Sequence, residues 1–278
     1  MTDAFSQGNA FRQAAEYLAQ ARRLVIFAGA GMSADSGLPT FRDEDGLWRQ
    51  PGSSQFELAS YRLFEQNPAE SWAFYTARQR RYAQASPHSG YAILRRWCEH
   101  LGDDHCFVFT SNVDGYFQRA GFPADRVLEC HGSIWQHYCS RPECETRQSA
   151  TSEAQGCETD IRVARCQCGA PLRPHVMMFG DRSFDHARLQ SARARWAAFQ
   201  QSLGSHEPYV LLEIGVGSTV TTVEDACWAL SRGALAVIQI NPTKPAPDST
   251  YCAWIALNDT AQVALERLER LRRKHSAR

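Results

Sequence analysis

The fold is decided by residues 24–42, LVIFAGAGMSADSGLPTFR, where an apolar run of strand length passes into a glycine-rich turn. Glycine lets backbone N–H groups approach phosphate oxygens closely, and a helix that begins after such a turn adds its positive dipole end. The segment therefore predicts a strand that leads into a turn binding a pyrophosphate. The pair Gly29 and Gly31 alone is weak evidence, because such pairs occur in many ordinary turns.

Further apolar runs of strand length recur along the chain, separated by segments of helix length. These runs are residues 106–109, 127–130, 209–214, 235–240 and 253–257. The alternation predicts an α/β fold, a doubly wound parallel sheet of the Rossmann-like kind. Thr110, Gly215 and Asn241 follow or end three of these runs, and ligands of open α/β sheets bind beyond the carboxyl ends of the strands. We therefore expect the functional site at that edge.

Composition sets broad limits on function. The 278 residues include 30 acidic and 30 basic side chains. This balance gives no overall attraction to nucleic acid or to an anionic membrane, so any charge-guided recognition must be local. We expect no secretory signal and no membrane span, because the apolar runs are too short. The 10 cysteines then favour a reducing, cytoplasmic location and metal binding over a disulfide framework.

Residues 136–173 interrupt the α/β pattern, since they are polar and rich in cysteine. We expect them to form a small insert between the two parts of a nucleotide-binding domain, residues 1–135 and 174–278. Part of residues 45–90 is expected to be helical and to pack near this insert. The sequence leaves the oligomeric state open.

The cysteines of the insert predict a metal site. Cys139 and Cys144 form one close pair, and Cys166 and Cys168 form another. Four thiolates suit a closed tetrahedral site for one structural zinc ion, with no open catalytic position. A small insert without a core of its own needs such a metal to fold. Buried free thiols are the alternative, and Cys157 could replace one of the four.

Two further motifs follow in order, Thr110-Ser111-Asn112-Val113-Asp114 and Cys130-His131-Gly132-Ser133. Together with Gly-x-Gly-x-Ser and Ser-Gly-x-Pro-x-Phe-Arg within residues 29–42, they resemble the motifs of the sirtuins, the NAD-dependent protein deacylases. The resemblance extends over most of the chain and is to sirtuins of the prokaryotic type. It implies NAD as the cofactor, a zinc-bearing small domain and acylated-lysine proteins or peptides as substrates.

The resemblance also implies roles for individual residues. His131 would be the catalytic base, because a histidine titrates near neutral pH and can take a proton from a ribose hydroxyl. Asn112 would contact the nicotinamide-side ribose, and Asp114 would bind the nicotinamide carboxamide, although Asp114 could also cap the next helix. Ser111 stands where sirtuins usually carry glutamine, so its hydroxyl would need a water bridge. The other implied cofactor-binding residues are Gly29, Ala30, Gly31, Ser33, Phe41, Arg42, Gly217, Ser218, Thr219 and Asn241.

Residues 173–181, RPHVMMFGD, resemble a sirtuin segment that pairs with the substrate backbone as an extended strand. By that resemblance, Val176, Met177 and Phe179 would border the acyl-lysine tunnel. An ordinary core strand is the alternative. Asp181 replaces the usual glutamate of this segment, which could alter how the loop is anchored.

Tyr75 and Arg78 have a Tyr-x-x-Arg spacing on a predicted helix, which places both polar ends on one face. In the desuccinylase and demalonylase branch of the sirtuins, a matching pair binds the distal carboxylate of an acidic acyl-lysine. Arginine can offer a two-pronged donor to a carboxylate, and tyrosine can donate one more hydrogen bond. An exposed arginine on a basic helix is the alternative, since Arg80 and Arg81 follow.

The implied activity is removal of acyl groups from protein lysines, which gives free lysine, nicotinamide and O-acyl-ADP-ribose. Succinyl, malonyl or glutaryl removal is the sharper hypothesis, and acetyl removal is retained beside it. Two alternatives stay open. One is an NAD hydrolase or ADP-ribosyltransferase on the same scaffold, and the other is an NAD-sensing binding module with weak turnover. Neither membrane nor nucleic acid is an expected partner.

Overall fold

The computed structural model describes residues 2–39, 55–145, 163–203 and 207–276. Phe41 and Arg42, predicted to bind the cofactor, and Cys157, a possible zinc ligand, lie outside the described residues. Within the described ranges, no helix is both long enough and apolar enough to cross a membrane.

Eight strands and ten α-helices make up the described chain. The strands are β1 (Arg23–Ala28), β2 (Cys106–Thr110), β3 (Val127–Glu129), β4 (Gly132–Cys139), β5 (Leu172–Val176), β6 (Tyr209–Ile214), β7 (Ala236–Ile240) and β8 (Ala253–Leu257). The helices are α1 (Thr2–Gln20), α2 (Gly31–Ala34), α3 (Gln55–Leu58), α4 (Tyr61–Gln66), α5 (Pro68–Gln84), α6 (Ser89–Leu101), α7 (Tyr116–Arg119), α8 (Gln190–Ser202), α9 (Thr222–Ser231) and α10 (Ala261–Ser276).

Six strands form one sheet in the order β3-β2-β1-β6-β7-β8, and every neighbouring pair is parallel. The predicted doubly wound parallel sheet is therefore confirmed. Every residue of β2, β6 and β7 is buried, as expected for a sheet covered by helices on both faces. The strand order reverses direction between β1 and β6, and open α/β sheets bind their ligands at such a switch point.

Two apolar layers cover the faces of this sheet. On one face Ile26 packs in a core that also contains Phe11 of α1. On the other face Val25 and Phe107 pack with Trp196 of α8, whose ring centroid lies 5.1 Å from that of Phe107. Val25 and Ile26 point to opposite faces because successive strand residues alternate. Burying apolar side chains of this size stabilises the fold by about 1.5 to 3 kcal/mol each.

A second, smaller sheet contains only β4 and β5, which are antiparallel. Helix α5 is bonded to both strands. The Trp72 indole N–H donates to the Leu172 carbonyl at 2.8 Å, and the Gln79 amide donates to the Ile134 carbonyl at 2.6 Å. β4 begins before the predicted insert 136–173 and ends within it, and β5 begins within it and ends beyond it. The division of the chain into domains stays a prediction.

Candidate active site

The turns that follow β1 and β6 touch through their backbones. The N–H of Gly29 donates to the Ile214 carbonyl, and the N–H of Gly31 donates to the Gly215 carbonyl, both at 3.0 Å. A Cβ on Gly215 would lie 2.3 Å from the carbonyl carbon of Gly31, and the φ angle of Gly215 is +61°. Glycine is therefore required here by the close approach of two backbones as well as by a left-handed conformation.

This contact changes what the glycine turn can offer to a ligand. The N–H groups of Gly29 and Gly31 are already engaged, whereas the N–H of Ala30 has no hydrogen-bond partner among the described residues. Helix α2 contains only 4 residues. The turn thus presents fewer free donors than its sequence suggests, with Ala30 as the available one.

Ser33, Asn112 and Asp114 form one buried hydrogen-bonded cluster at the carboxyl edge of β1 and β2. Ser33 Oγ donates to Asp114 Oδ2 at 2.6 Å, and the Asn112 amide donates to Ser33 Oγ at 3.2 Å and to the Gly29 carbonyl at 3.0 Å. Because the only Ser33 hydroxyl proton goes to Asp114, the Tyr91 hydroxyl at 2.8 Å must donate to Ser33. Three residues predicted to bind the cofactor thus lie together.

Asp114 has a second, structural contact. Its Oδ1 accepts from the Tyr116 N–H at 2.9 Å, near the start of α7. Burial raises the pKa of Asp114, and the hydrogen bonds from Ser33 and Tyr116 and the charge of Arg78 act in the opposite direction. Asp114 thus binds the first N–H of α7, although the N-cap residue of that helix is Gly115, and its other carboxylate oxygen is turned toward Ser33.

His131 follows β3 and is half-buried. Its carbonyl accepts from the Met177 N–H at 2.9 Å, and its Nε2 lies 3.4 Å from Thr222 Oγ1. Burial lowers the pKa of His131, so the ring is neutral at pH 7 and can accept a proton. The ring borders a pocket of about 450 Å³ whose walls include Met177, Trp196 and Thr222. A neutral base at a largely apolar pocket is suited to general base catalysis.

The predicted adenosine-side residues lie at the ends of β6 and β7. Gly217, Ser218 and Thr219 form an exposed turn after β6. The Asn241 amide donates to the Val216 carbonyl at 3.1 Å, and its oxygen accepts from the Lys244 N–H at 3.1 Å. Asn241 therefore joins the two turns that would flank a ligand there.

An ion-pair network beside Asn241 was missed by the sequence reasoning. Lys244 Nζ lies 2.8 Å from Glu213 Oε1 and 2.9 Å from Glu224 Oε1, and the Glu213 side chain is 0% exposed. Burial raises the pKa of Glu213, and the charge of Lys244 acts in the opposite direction. The signal was a glutamate inside the otherwise apolar run 209–214. The network ties the turn after β7 to β6 and α9.

Tyr75 and Arg78 both lie on α5. Tyr75 is 2% exposed, and its hydroxyl has no hydrogen-bond partner among the described residues. Burial raises the pKa of Tyr75, and the charges of Arg78 and Arg173 oppose the shift. Arg78 Nε donates to the Tyr82 hydroxyl at 3.0 Å, and its guanidinium lies over the Phe74 ring, 5.4 Å from the centroid.

The segment predicted to border the substrate is paired within the chain. Val176 ends β5, and the next residue, Met177, is bonded to His131 as described above. The Phe179 N–H donates to the Ala59 carbonyl at 3.0 Å, and its carbonyl accepts from the Tyr61 N–H at 2.9 Å. These bonds place Met177 next to the proposed base and hold Phe179 against the loop before α4.

Asp181 anchors this loop although it is shorter than glutamate. Its carboxylate forms an ion pair with Arg173, and both side chains are 0% exposed. The same carboxylate accepts from the Ser183 N–H at 2.9 Å. Arg173 also lies between aromatic rings, with its guanidinium carbon 5.1 Å from the Tyr61 centroid and 5.2 Å from the Tyr138 centroid.

The four predicted zinc ligands converge at the end of the small sheet. The Sγ atoms of Cys139 and Cys168 are 3.5 Å apart, those of Cys144 and Cys166 are 3.6 Å apart, and all four lie within 4.8 Å of one another. A disulfide would need about 2.05 Å. Zinc with four thiolates at about 2.3 Å places the sulfurs roughly 3.8 Å apart, so this cluster fits a zinc ion.

Comparisons with known proteins agree with this geometry. The Sir2 family model matches residues 29–198. An NAD-dependent protein deacylase of Aquifex aeolicus is 30% identical over 257 residues, 92% of this chain and 98% of the relative. One of Mycobacterium tuberculosis is 32% identical over 253 residues, 90% of this chain and 98% of the relative.

Solved structures show the same likeness. A mutant Sir2 homologue in complex with ADP-ribose superposes with a TM-score of 0.75 at 26% identity, covering 95% of this chain and 97% of that one. A Sir2 homologue in complex with NAD gives a TM-score of 0.72 at 25% identity, with 94% of each chain covered. With the matched family model spanning the glycine turn, the polar cluster and the cysteines, and with relatives alike over nine-tenths of its length, this chain belongs to the Sir2 family.

Proposed function

We propose that this chain is an NAD-dependent protein lysine deacylase. The observation that carries the proposal is the buried Ser33, Asn112 and Asp114 cluster at the carboxyl edge of β1 and β2, with the neutral base His131 at the end of the neighbouring strand β3. The relatives named above are NAD-dependent protein deacylases and support the same activity. A cytoplasmic location, where thiols stay reduced, would keep the four cysteines able to bind zinc.

The residues on both sides of the switch point between β1 and β6 fit NAD. The N–H of Ala30 would bind the pyrophosphate, and the side chains of Asn112 and Asp114 would hold the nicotinamide half. The exposed turn at residues 217–219 and Asn241 would hold the adenosine half. NAD supplies an electrophilic ribose carbon and nicotinamide as the leaving group.

His131 performs the proton transfer of this proposal. Its lowered pKa leaves the ring unprotonated at pH 7, so it can take a proton from a ribose hydroxyl and return it later. Thr222 lies beside Nε2 and can orient the ring. The adjoining pocket is lined mostly by apolar side chains, among them Phe109, Leu128 and Trp196.

For the acyl group, we propose an acidic chain whose terminal carboxylate is bound by Tyr75 and Arg78. The Tyr75 hydroxyl is buried and free to donate, and Arg78 carries its charge close enough to Asp114 to affect that carboxyl group's pKa. Hydrogen bonds that involve a charged group contribute about 1.5 to 3 kcal/mol, so losing one would change the preference by roughly tenfold or more. Succinyl, malonyl and glutaryl groups share the required carboxylate, and an acetyl group lacks it.

The test uses purified protein, NAD and matched acetyl-lysine and succinyl-lysine peptides, with peptide, nicotinamide and O-acyl-ADP-ribose followed by mass spectrometry. We expect peptide deacylation that His131→Ala lowers by about 10²-fold or more. His100→Ala, at an exposed site on α6, is the matched control and should behave as wild type. Nicotinamide release without any change in the peptide would contradict the deacylase and support an NAD hydrolase.

The acyl preference has its own variant. Arg78→Met should lower succinyl removal far more than acetyl removal, because only the succinyl group loses a charged hydrogen bond. Arg62→Met, at an exposed site on α4, removes the same charge away from this position and should leave the ratio unchanged. Faster acetyl than succinyl removal by the wild type would reject the Tyr75 and Arg78 pocket and leave the deacylase standing.

A further inference from the structure

The pocket beside His131 contains one charged side chain that the proposed chemistry does not use. Arg193, on α8, lines this pocket together with His131, and the walls between them include the apolar side chains of Leu128 and Trp196. Its charge reaches the pocket wall, because burial raises the pKa of Cys130 to about 12 while Arg193 acts in the opposite direction. An arginine at the rim of an apolar pocket is placed to bind an anion that enters beside the base.

Arg193 has no carboxylate partner in the described part of the chain. Its guanidinium contacts His186 Nδ1 at 3.1 Å, and an accepting histidine nitrogen carries no charge. The other arginines of this segment are used differently. Arg188 lies 3.7 Å from the Asp185 carboxylate, and Arg195 Nε donates to the Asp125 carbonyl at 3.2 Å.

The surrounding segment is strongly basic although the whole chain is neutral. Residues 182–195 contain four arginines and a single carboxylate, Asp185, and α8 has no acidic residue at all. Arg182 and Arg193 are both exposed. Arg193 therefore lies at the pocket within a locally basic segment, although the chain as a whole gives no overall attraction to anions.

We infer that Arg193 binds an acidic residue of the protein substrate, an aspartate or glutamate one or two positions from the acyl-lysine. The inference rests on the proposed deacylase activity, because it places the acyl-lysine beside His131. An extended chain advances about 3.4 Å per residue, so such a side chain lies roughly 3 to 7 Å along the substrate from the lysine. His131 and Arg193 line the same pocket of about 450 Å³, so a side chain next to the acyl-lysine enters the space that Arg193 borders.

The acidic flanking residue explains the position of Arg193 better than the acyl group does. Arg193 is exposed at the rim, where the main chain of a docked protein would pass, whereas the Tyr75 and Arg78 pair proposed for the acyl carboxylate is more deeply placed on α5. The two sites would therefore bind different parts of one substrate, the acyl group and a neighbouring acidic residue.

The test compares acyl-lysine peptides that carry glutamate or glutamine at each of the two positions on either side of the lysine. We expect glutamate at one position to raise kcat/KM by about two- to fivefold, the range for an exposed ion pair. The gain should shrink as ionic strength rises from about 0.01 M to about 1 M, because the Debye length falls from roughly 30 Å to 3 Å. Arg193→Lys should keep the preference, and Arg193→Glu should reverse it.

Arg195→Glu is the matched control, since it makes the same charge change two residues away on the same helix, at a side chain bonded elsewhere. It should leave the preference intact. An equal loss in both variants would overturn the inference in favour of a general field effect. Equal deacylation of all peptides by the wild type would also overturn it, with the proposed function unharmed. No deacylation of any peptide would overturn both.

Discussion

The six-stranded sheet and the zinc unit differ in the interactions that stabilise them. The zinc unit comprises β4, β5 and the four clustered cysteines. The sheet buries continuous apolar strands under helices on both faces. The zinc unit shares one of these cores through Ile134, Leu172 and Val176. It also buries the Arg173 and Asp181 ion pair and two histidines, His137 and His175. Apolar burial tolerates changes in solution conditions, whereas thiolates, histidines and ion pairs depend on metal and pH. The zinc unit should therefore unfold before the sheet when zinc is removed or the pH is lowered.

The largest difference should come from removing a zinc ligand. Cys166→Ser should abolish stoichiometric zinc binding and unfold β4 and β5, because structural zinc sites contribute about 10 kcal/mol or more of apparent binding free energy. The sheet should remain folded. Zinc per chain, measured by elemental analysis, and hydrogen exchange of both regions check this.

The control for that prediction is Cys252→Ser, which alters a half-buried thiol outside the cluster. It should keep one zinc ion per chain. Full zinc content in Cys166→Ser, or loss of protection in β1 and β2 together with β4 and β5, would show that the two regions do not differ as described.

Acid should produce the next largest effect. Burial lowers the pKa of both His137 and His175 to about 4. The unfolded chain, with an ordinary histidine pKa near 6.5, binds more protons between these values, so the free energy of unfolding falls as the pH is lowered through this window. By pH 5 the loss is on the order of 2 kcal/mol per histidine.

Urea unfolding at pH 7 and at pH 5, with exchange protection resolved by region, measures this loss. His137 accepts from Gln79 at 3.1 Å, and His100 is exposed and serves for comparison. We expect His100→Gln to leave the pH dependence unchanged. A zinc unit as stable at pH 5 as at pH 7 would refute the expectation.

Within the sheet, the most sensitive position should be Gly215. Gly215→Ala adds a Cβ 2.3 Å from the Gly31 backbone at a positive φ angle, which should cost about 3 kcal/mol of unfolding free energy. Gly217→Ala, where the added Cβ would meet no atom within 4 Å, is the matched control. Equal midpoints of urea unfolding for the two variants would show that the two backbones separate easily.

The smallest effect should come from Asn241→Ala. This change removes the hydrogen bonds that join the turns after β6 and β7, which should cost about 1 to 2 kcal/mol and raise the KM for NAD. Asn258→Ala, at an exposed site, should do neither. Unchanged thermal stability and an unchanged KM in Asn241→Ala would remove it from the proposed adenosine side.

The parallel strands could be predicted because each is a short, mostly apolar run that is recognisable without knowledge of its neighbours in the sheet. β4 could not, because its sequence, GSIWQHYC, mixes polar and apolar residues. His137 is buried by its pairing with β5 and by two residues of α5, Gln79 and Trp72, whose ring centroid lies 4.7 Å from that of His137. Such burial depends on segments far apart in the sequence, which no local pattern reports.

The candidate site shows the same division. Family resemblance brought Ser33, Asn112 and Asp114 to attention, but their mutual hydrogen bonds depend on the register of β1 and β2, with Ala28 opposite Thr110. The glycines were expected to admit a phosphate, whereas Gly31 mainly admits another backbone. The need for glycine at position 31 becomes clear only from the backbone of Gly215, which follows β6 and packs against it.

Helix α5 has a practical consequence for engineering. Trp72 and Gln79 donate hydrogen bonds from this helix to β5 and β4. The position of Tyr75 and Arg78 is therefore fixed relative to these two strands. Grafting the Tyr-x-x-Arg pair alone into another scaffold would transfer the two side chains without the contacts that position them. A transferable unit for the proposed acyl preference would have to include the helix, both strands and the four cysteines together.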